Sequence, residues 1–442
     1  MKIFFASLGC DKNLVDSEKM LGILGKNGYT FTDDETEAEV IIVNSCCFIG
    51  DAKEESIQTI LELAQQKEMG RCKALIVTGC LAERYQEELM QEMPEVDGCL
   101  GIASWQNISE LLDRVLEGKR PKLFGEKNIL PKEAYPRTLT TGGHFAYLKI
   151  AEGCNKHCTY CIIPKVRGPY RSVPMEELLA EANQLAAQGV KELILVAQET
   201  TLYGMDLYGK KSLPELLKKL CLVAGIQWIR ILYCYPEEIT EELIQTMKEE
   251  PKICHYLDIP IQHASDVILK RMGRKTTRQE ITAQIKRLRE AIPDIALRTT
   301  LISGFPGETE EDHKQSMDFI DEIEFDRLGV FAYSAEEDTA AAEMPEQIPQ
   351  QVKEERRDEL MELQQEIAFA HCQDMIGAEV EVLIEGKIAD EPVYVGRTYM
   401  DAPNVDGYIF VNTGELFMSG DLVQVRVTGA NDYDLIGELA CD

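Results

Sequence analysis

Apolar and polar positions follow two rhythms over the first hundred or so residues. KIFFASLG, EVIIVNS and KALIVTG are short, largely apolar runs of strand length. Between them NLVDSEKMLGILGKNGY, closed by Gly28, DAKEESIQTILELAQQ and AERYQEELMQEM carry the longer period of helices; the second has apolar residues at 57, 60, 61 and 64. VDGCLGI is a fourth strand candidate, followed by the helical NISELLDRVLEG. Such βα alternation predicts a mostly parallel sheet with helices on its faces. From Gly118 to Gly143 the chain is rich in Pro, Gly, Lys and Thr without a sustained apolar period, as boundaries are. A longer series then begins. FAYLKIAEG, ELILVAQ, WIRILYCYP, YLDIPI, IALRTTLISG and RLGVFAYS are six strand candidates separated by helical patterns, which predicts a partial (β/α)6 barrel. A bridge helix, QQVKEERRDELMELQQEIAFAHCQ, leads to short runs of β propensity after Gly377, the pattern of a small antiparallel β-barrel. The fold class is α/β, with expected divisions at 1–118, 119–143, 144–372 and 373–442.

Composition narrows the chemistry. In 442 residues no apolar run is long enough to span a membrane. The N-terminal MKIFFASLGCDKN lacks the length and flanks of a signal peptide, so the expected location is cytoplasmic. In a reducing compartment the fourteen cysteines are read as metal ligands, catalysts or core residues rather than as a disulfide framework. The net charge of −31 disfavours broad binding to phosphate backbones and favours a basic partner. From Met375 to Asp442 three basic residues stand against thirteen acidic ones, a net of about −10 and the wrong sign for a barrel that grips nucleic acid.

Two cysteine constellations stand out. GCNKHCTYC sets Cys154, Cys158 and Cys161 in a Cys-x3-Cys-x2-Cys spacing after the first strand of the barrel-like series. Three thiols close together, with no fourth nearby and His157 poorly placed to complete the set, suit an iron–sulfur cluster with one open iron better than a structural zinc site. Three N-terminal segments also end alike: FFASLGC at Cys10, IIVNSC at Cys46 and LIVTGC at Cys80. The carboxyl ends of parallel strands lie along one edge, so these thiols can converge although far apart in sequence. Cys46 shares the register of Cys80, whereas Cys47, one residue on, points the other way if still extended. Cys46 is therefore the expected ligand. The remaining cysteines (72, 99, 221, 234, 254, 372 and 441) have no ligand spacing and read as buried small residues. His263 reads as a structural hydrogen-bonding residue.

The Cys-x3-Cys-x2-Cys motif with Tyr160 before its last cysteine resembles the radical S-adenosylmethionine (SAM) superfamily. With AQET at 197–200, IPIQH at 259–263 and LISGFPGET at 301–309 after successive strands, the resemblance implies a 4Fe–4S cluster whose open iron chelates SAM. It also implies further SAM contacts from Tyr160, Gln198, Gln262, Arg298 and Ile302. With the second triplet and the acidic barrel, almost the whole chain resembles the methylthiotransferase family, whose C-terminal module is of the TRAM type. Cys47 departs from that family, where Gly is usual.

The family implies two 4Fe–4S clusters, on Cys10/Cys46/Cys80 and on Cys154/Cys158/Cys161. One SAM methylates a sulfur bound at the first; a second, on the other cluster, yields the radical that abstracts hydrogen from the substrate. Both clusters must then face one cavity. The central step needs no acid–base pair, and no catalytic side chain is assigned. SLGCDKNLVDSE, AQETTLYGMDLYG and YVGRTYMDAPNVDG resemble the branch that modifies an aspartate of ribosomal protein S-twelve. The acidic barrel agrees, since ribosomal proteins are basic. The expected partners are thus that basic protein and an electron donor, with tRNA disfavoured and no membrane; the absence of a long apolar heptad seam points to a monomer. The alternatives are a tRNA adenosine methylthiotransferase, a non-enzymatic iron–sulfur carrier and a zinc-dependent structural module.

Overall fold

In the computed structural model, which describes residues 1–130 and 135–440, the N-terminal pattern folds as a six-stranded parallel sheet. Its strands are β1 (Lys2–Ser7), β2 (Thr30–Phe31), β3 (Val40–Ser45), β4 (Ala74–Gly79), β5 (Gly98–Leu100) and β6 (Lys122–Leu123), in the order β2-β1-β3-β4-β5-β6. β3 and β4 are buried at every position, which is why both read as nearly unbroken apolar runs. Alternation splits their side chains between two cores: Ile41, Val43, Leu75 and Val77 on one face, Val40, Ile42, Ala74 and Ile76 on the other. Helices Asp11–Lys26, Gly50–Ala64, Cys80–Glu92 and Ile108–Leu116 follow successive strands. β6 falls inside the stretch whose composition predicts a linker; Lys122 and Leu123 pair with Cys99 and Leu100 and extend the sheet.

Two compact units make up the chain. The first contains residues 1–140, 149–173 and 334–342. β7 (Phe145–Lys149) belongs to the second sheet, and only its last residue counts in this unit. β8 (Ala151–Glu152) and β9 (Arg171–Ser172) pair antiparallel and close the base of the loop bearing Cys154, Cys158 and Cys161. The short helix Ile163–Arg167 completes that loop.

The second unit contains residues 141–148, 174–333 and 343–442. Its sheet has the order β14-β13-β12-β11-β10-β7, from β10 (Glu192–Val196), β11 (Trp228–Ile231), β12 (Ile253–Asp258), β13 (Ala296–Ser303) and β14 (Arg327–Ala332). The pairs from β10 to β14 are parallel, which makes the expected partial barrel. Helix Gln350–Asp374 leads to a closed barrel of β15 (Glu379–Lys387), β16 (Val393–Arg397), β17 (Ile409–Asn412), β18 (Leu422–Asn431) and β19 (Asp434–Leu439). The barrel is not wholly antiparallel as the sequence predicts. β19 pairs parallel with β17, which closes the barrel through a strand that the sequence pattern does not reveal. Its core includes Val382, Ile384, Tyr394, Ile409, Val411 and Val425.

Ion pairs fix the barrel to the sheet. Glu192 on β10 lies between Arg230 Nε (2.7 Å) and Arg397 Nη2 (2.6 Å), all three fully buried. Arg327 pairs with Asp401 at 2.5 Å. Among the described residues no helix is long and apolar enough to cross a membrane.

Candidate iron–sulfur centre

The N-terminal triplet is assembled by sheet register. Val43 pairs with Val77 and Ser45 with Gly79, so the following residues, Cys46 and Cys80, leave the same edge of the sheet. Cys10 caps helix Asp11–Lys26 and Cys80 begins helix Cys80–Glu92. Two turns are possible only for glycine. Gly9 has φ +84°, and a Cβ there would stand 2.7 Å from Cys46 Cβ and 2.8 Å from its Sγ. Gly79 has φ +92°, with Asn44 Oδ1 2.4 Å from where its Cβ would be. Ser56 holds the backbone of Cys46 at both ends, accepting from its N–H and donating to its carbonyl, each at 2.9 Å.

Cys80 is electrostatically coupled to Cys10, Cys46 and Cys47, so the structure gathers all four thiols. Cys47 lies in the apolar cluster of Ile41, Val43, Val77 and Leu81, which Cys80 shares, and its carbonyl accepts from Arg84 Nη1 at 3.3 Å. Burial pushes the Cys46 thiol up, Cys47 to about 11 and Cys80 higher still, although Arg167 opposes the rise at Cys80. These thiols are therefore protonated on their own at neutral pH, and metal must displace the protons. Cys46 and Cys80 are buried and Cys10 is exposed; soft sulfur donors and an adjacent guanidinium fit an iron–sulfur cluster. Among the described residues no three His, Cys, Asp or Glu side chains are drawn together as a lone metal ion would draw them. In a cluster the thiolates bind separate irons and stand further apart.

The second triplet lies on the β8–β9 loop. Cys154 and Cys158 are buried and Cys161 is half-buried, its thiol pushed up to about 12 by burial and by the other two thiols. His157 has φ +54° and is exposed, away from a ligand's role. Tyr160 is half-buried beside Cys161.

A polar network that sequence reasoning missed adjoins both triplets. Arg167 Nη2 donates to Cys80 Sγ at 3.3 Å and to Asn13 Oδ1 at 3.0 Å. Its Nη1 donates to Glu152 at 3.0 Å and Asp16 at 3.3 Å. Lys149 bonds both carboxylates. The next carbonyl, that of Gly168, accepts from the N–H of Cys154 at 3.1 Å. In CDKNLVDSE the fold buries Lys12, Asn13, Asp16, Ser17 and Glu18, where polar residues need partners.

The other expected SAM contacts belong to the second unit. Gln198 follows β10 and is half-buried. Gln262 follows β12 with φ +74°, held there because its N–H donates to Thr300 O (2.9 Å) and its carbonyl accepts from Ile302 N (2.8 Å). Such backbone strain is characteristic of functional strand ends. Arg298 is already engaged, donating to Asp258 at 2.9 Å and pairing with Asp406 of the barrel at 3.3 Å. His263 accepts from Ser265 N at 2.9 Å and faces Glu308 at 3.4 Å, in keeping with a structural role. Cys72, Cys99, Cys221, Cys234, Cys254 and Cys372 are buried and free, and Cys441 lies outside the described residues.

Residues 2–101 match Uncharacterized protein family UPF0004, residues 148–320 the Radical SAM superfamily and residues 376–440 the TRAM domain. Over 437 residues, 99% of each chain, the sequence is 62% identical to ribosomal protein uS12 methylthiotransferase RimO of Lachnoclostridium phytofermentans. The chain belongs to the RimO family of radical SAM methylthiotransferases. RimO relatives of Pelotomaculum thermopropionicum and Clostridioides difficile are 53% and 51% identical, each over 439 residues and 99% of both chains. The radical SAM methyltransferase TsrM of Kitasatospora setae has the same fold at 14% identity, with a TM-score of 0.54 over 74% of this chain and 72% of that one. Membership of the RimO family makes the chain an enzyme whose chemistry uses SAM and iron–sulfur clusters.

Proposed function

We propose that this enzyme transfers a methylthio group to the β-carbon of an aspartate in ribosomal protein uS12, using two 4Fe–4S clusters. Cys154, Cys158 and Cys161 hold the cluster that binds SAM, and Cys10, Cys46 and Cys80 hold the auxiliary one. The bound groups supply the one-electron chemistry that removes hydrogen from an unactivated carbon. Three thiols in each triplet leave every cluster one position without a protein ligand. By the resemblance, Tyr160, Gln198, Gln262, Arg298 and Ile302 are the SAM contacts; Arg298 also fixes Asp258, whose other oxygen accepts from Tyr233 N at 3.1 Å.

The observation that carries this reading is the segment Arg167–Gly168, which touches Cys80 with its guanidinium and the backbone of Cys154 with its carbonyl. Hydrogen abstraction and sulfur transfer demand such neighbours, because a carbon radical reacts where it forms. The relatives' names and the acidic barrel support uS12 as the substrate. Functionally the chain divides into a cluster domain (1–118), a linker (119–143), a radical SAM domain (144–372) and the TRAM-like barrel (373–442). It acts in the cytoplasm as a monomer, with an electron donor.

The test is mass spectrometry of ribosomal proteins from cells lacking this gene. The expected result is loss of one methylthio group from a single aspartate of uS12, restored by the gene. Unchanged uS12, with tRNA lacking its methylthio group instead, would overturn the assignment.

A further inference from the structure

The surroundings of Cys80 are more highly charged than a structural role requires. Arg167 is 1% exposed, and Lys149, Asp16 and Glu152 are all buried with it. The quartet carries two positive and two negative charges, so it is neutral by itself. A thiolate at Cys80 adds the unbalanced charge, and it lies 3.3 Å from Arg167 Nη2. Buried ion pairs rarely add stability over apolar residues of similar volume, which points to a task other than stability. Asn13 and the two carboxylates hold the guanidinium from its other donors and aim Nη2 at the sulfur. The anchoring is firm: Asn13 Nδ2 itself donates to Leu8 O at 2.8 Å and Ser45 O at 3.1 Å, between the strand ends that carry Cys10 and Cys46.

We propose that Arg167 is a positioning residue for the auxiliary cluster: it donates a hydrogen bond to the Cys80 sulfur and raises that cluster's reduction potential. The inference rests on the reading that Cys10, Cys46 and Cys80 hold a cluster. Net charge and hydrogen bonds to sulfur set such potentials, because positive charge and donors favour the more negative, reduced state. Asp16 works in the opposite sense, and Glu152 shares the guanidinium with it. Gly168, which follows Arg167, accepts from Cys154 N–H, so the segment that tunes one triplet also seats the other.

The experiment uses the full chain with Cys154, Cys158 and Cys161 replaced by Ala, reconstituted anaerobically with iron and sulfide, so that a single cluster is titrated by electron paramagnetic resonance. Arg167→Gln should lower the midpoint by at least a tenfold change in the reduction equilibrium, 59 mV for one electron. Arg167→Lys keeps the charge without the planar fork and should lower it less. Asp16→Asn removes a negative charge and should raise it, a sign that a merely structural role does not produce. Unchanged midpoints in all three variants, with iron retained, would overturn the proposal. If Arg167→Gln sheds its cluster, Arg167→Lys and Asp16→Asn decide by the same signs. Absence of iron from the parent protein would instead overturn the reading of the N-terminal triplet, and this inference with it.

Discussion

Cys46 and Cys47 are adjacent, yet the fold sets them in different registers. Cys46 leaves β3 one residue after the Ser45–Gly79 pair, in step with Cys80, and presses against the turn at Gly9. Cys47 is one residue out of that register, in an apolar cluster with Ile41, Val43 and Leu81 that Cys80 also joins. Cys46→Ala should therefore lose about half of the iron bound by anaerobically purified protein, whereas Cys47→Ala should retain nearly all of it. The reverse result, by iron and sulfide analysis, would assign the ligand to Cys47. The strand-end position of Cys46 and Cys80 was legible, because each ends a nearly unbroken apolar run and the two runs pair in register. Arg167 was not legible. In IPKVRG it reads as a surface cation at a helix end, and only the fold reveals that Asn13, Asp16 and Glu152 converge on it.

At the scale of elements, the seating of the barrel depends on charges that the sequence presents as surface. Arg397, Asp401 and Asp406 all count towards the acidic balance of the last segment, yet Arg397 and Asp401 are buried outright and the carboxylate of Asp406 is nearly so. The strand pattern reveals the sheet and four barrel strands because they alternate or run apolar. It misses DLIGEL at 434–439, where Gly437 and two acidic residues interrupt the signal. Glu192 governs the joint. Burial alone would raise its carboxyl, but Arg397 and Arg230 hold it down at about 2 against an ordinary 4.5. A lowered carboxyl stabilises the fold above the unfolded value, so this contribution is complete above pH 4.5 and is lost as pH falls towards about 2. Glu192→Ala leaves two buried guanidinium groups without their carboxylate and should cost about 3–5 kcal/mol in denaturant unfolding at pH 7. In the same measurements Glu192→Gln should flatten the loss of stability between pH 4.5 and pH 2. Wild-type acid sensitivity in Glu192→Gln would show that the joint draws its strength elsewhere.

For the molecule as a whole, charge and cluster chemistry point the same way. A net charge of −31 repels polyanions and attracts a basic substrate, and on the proposed reading the three thiols of each triplet would anchor a cluster and leave one position open. Length, composition and motif order were enough to divide the chain into its sheet, partial barrel and small barrel, since each has its own period. The membership of the two compact units was not readable, because residues 149–173 and 334–342 join the N-terminal unit by contacts far apart in sequence. The decisive measurement is iron and sulfide per chain, with Mössbauer spectra, for the reconstituted wild type and for two triple alanine variants, one at Cys10, Cys46 and Cys80 and one at Cys154, Cys158 and Cys161. About eight irons in the wild type and about four in each variant are expected, all in cubane clusters. A variant that keeps about eight, or a wild type that never exceeds about four, would contradict two clusters held by these six thiols.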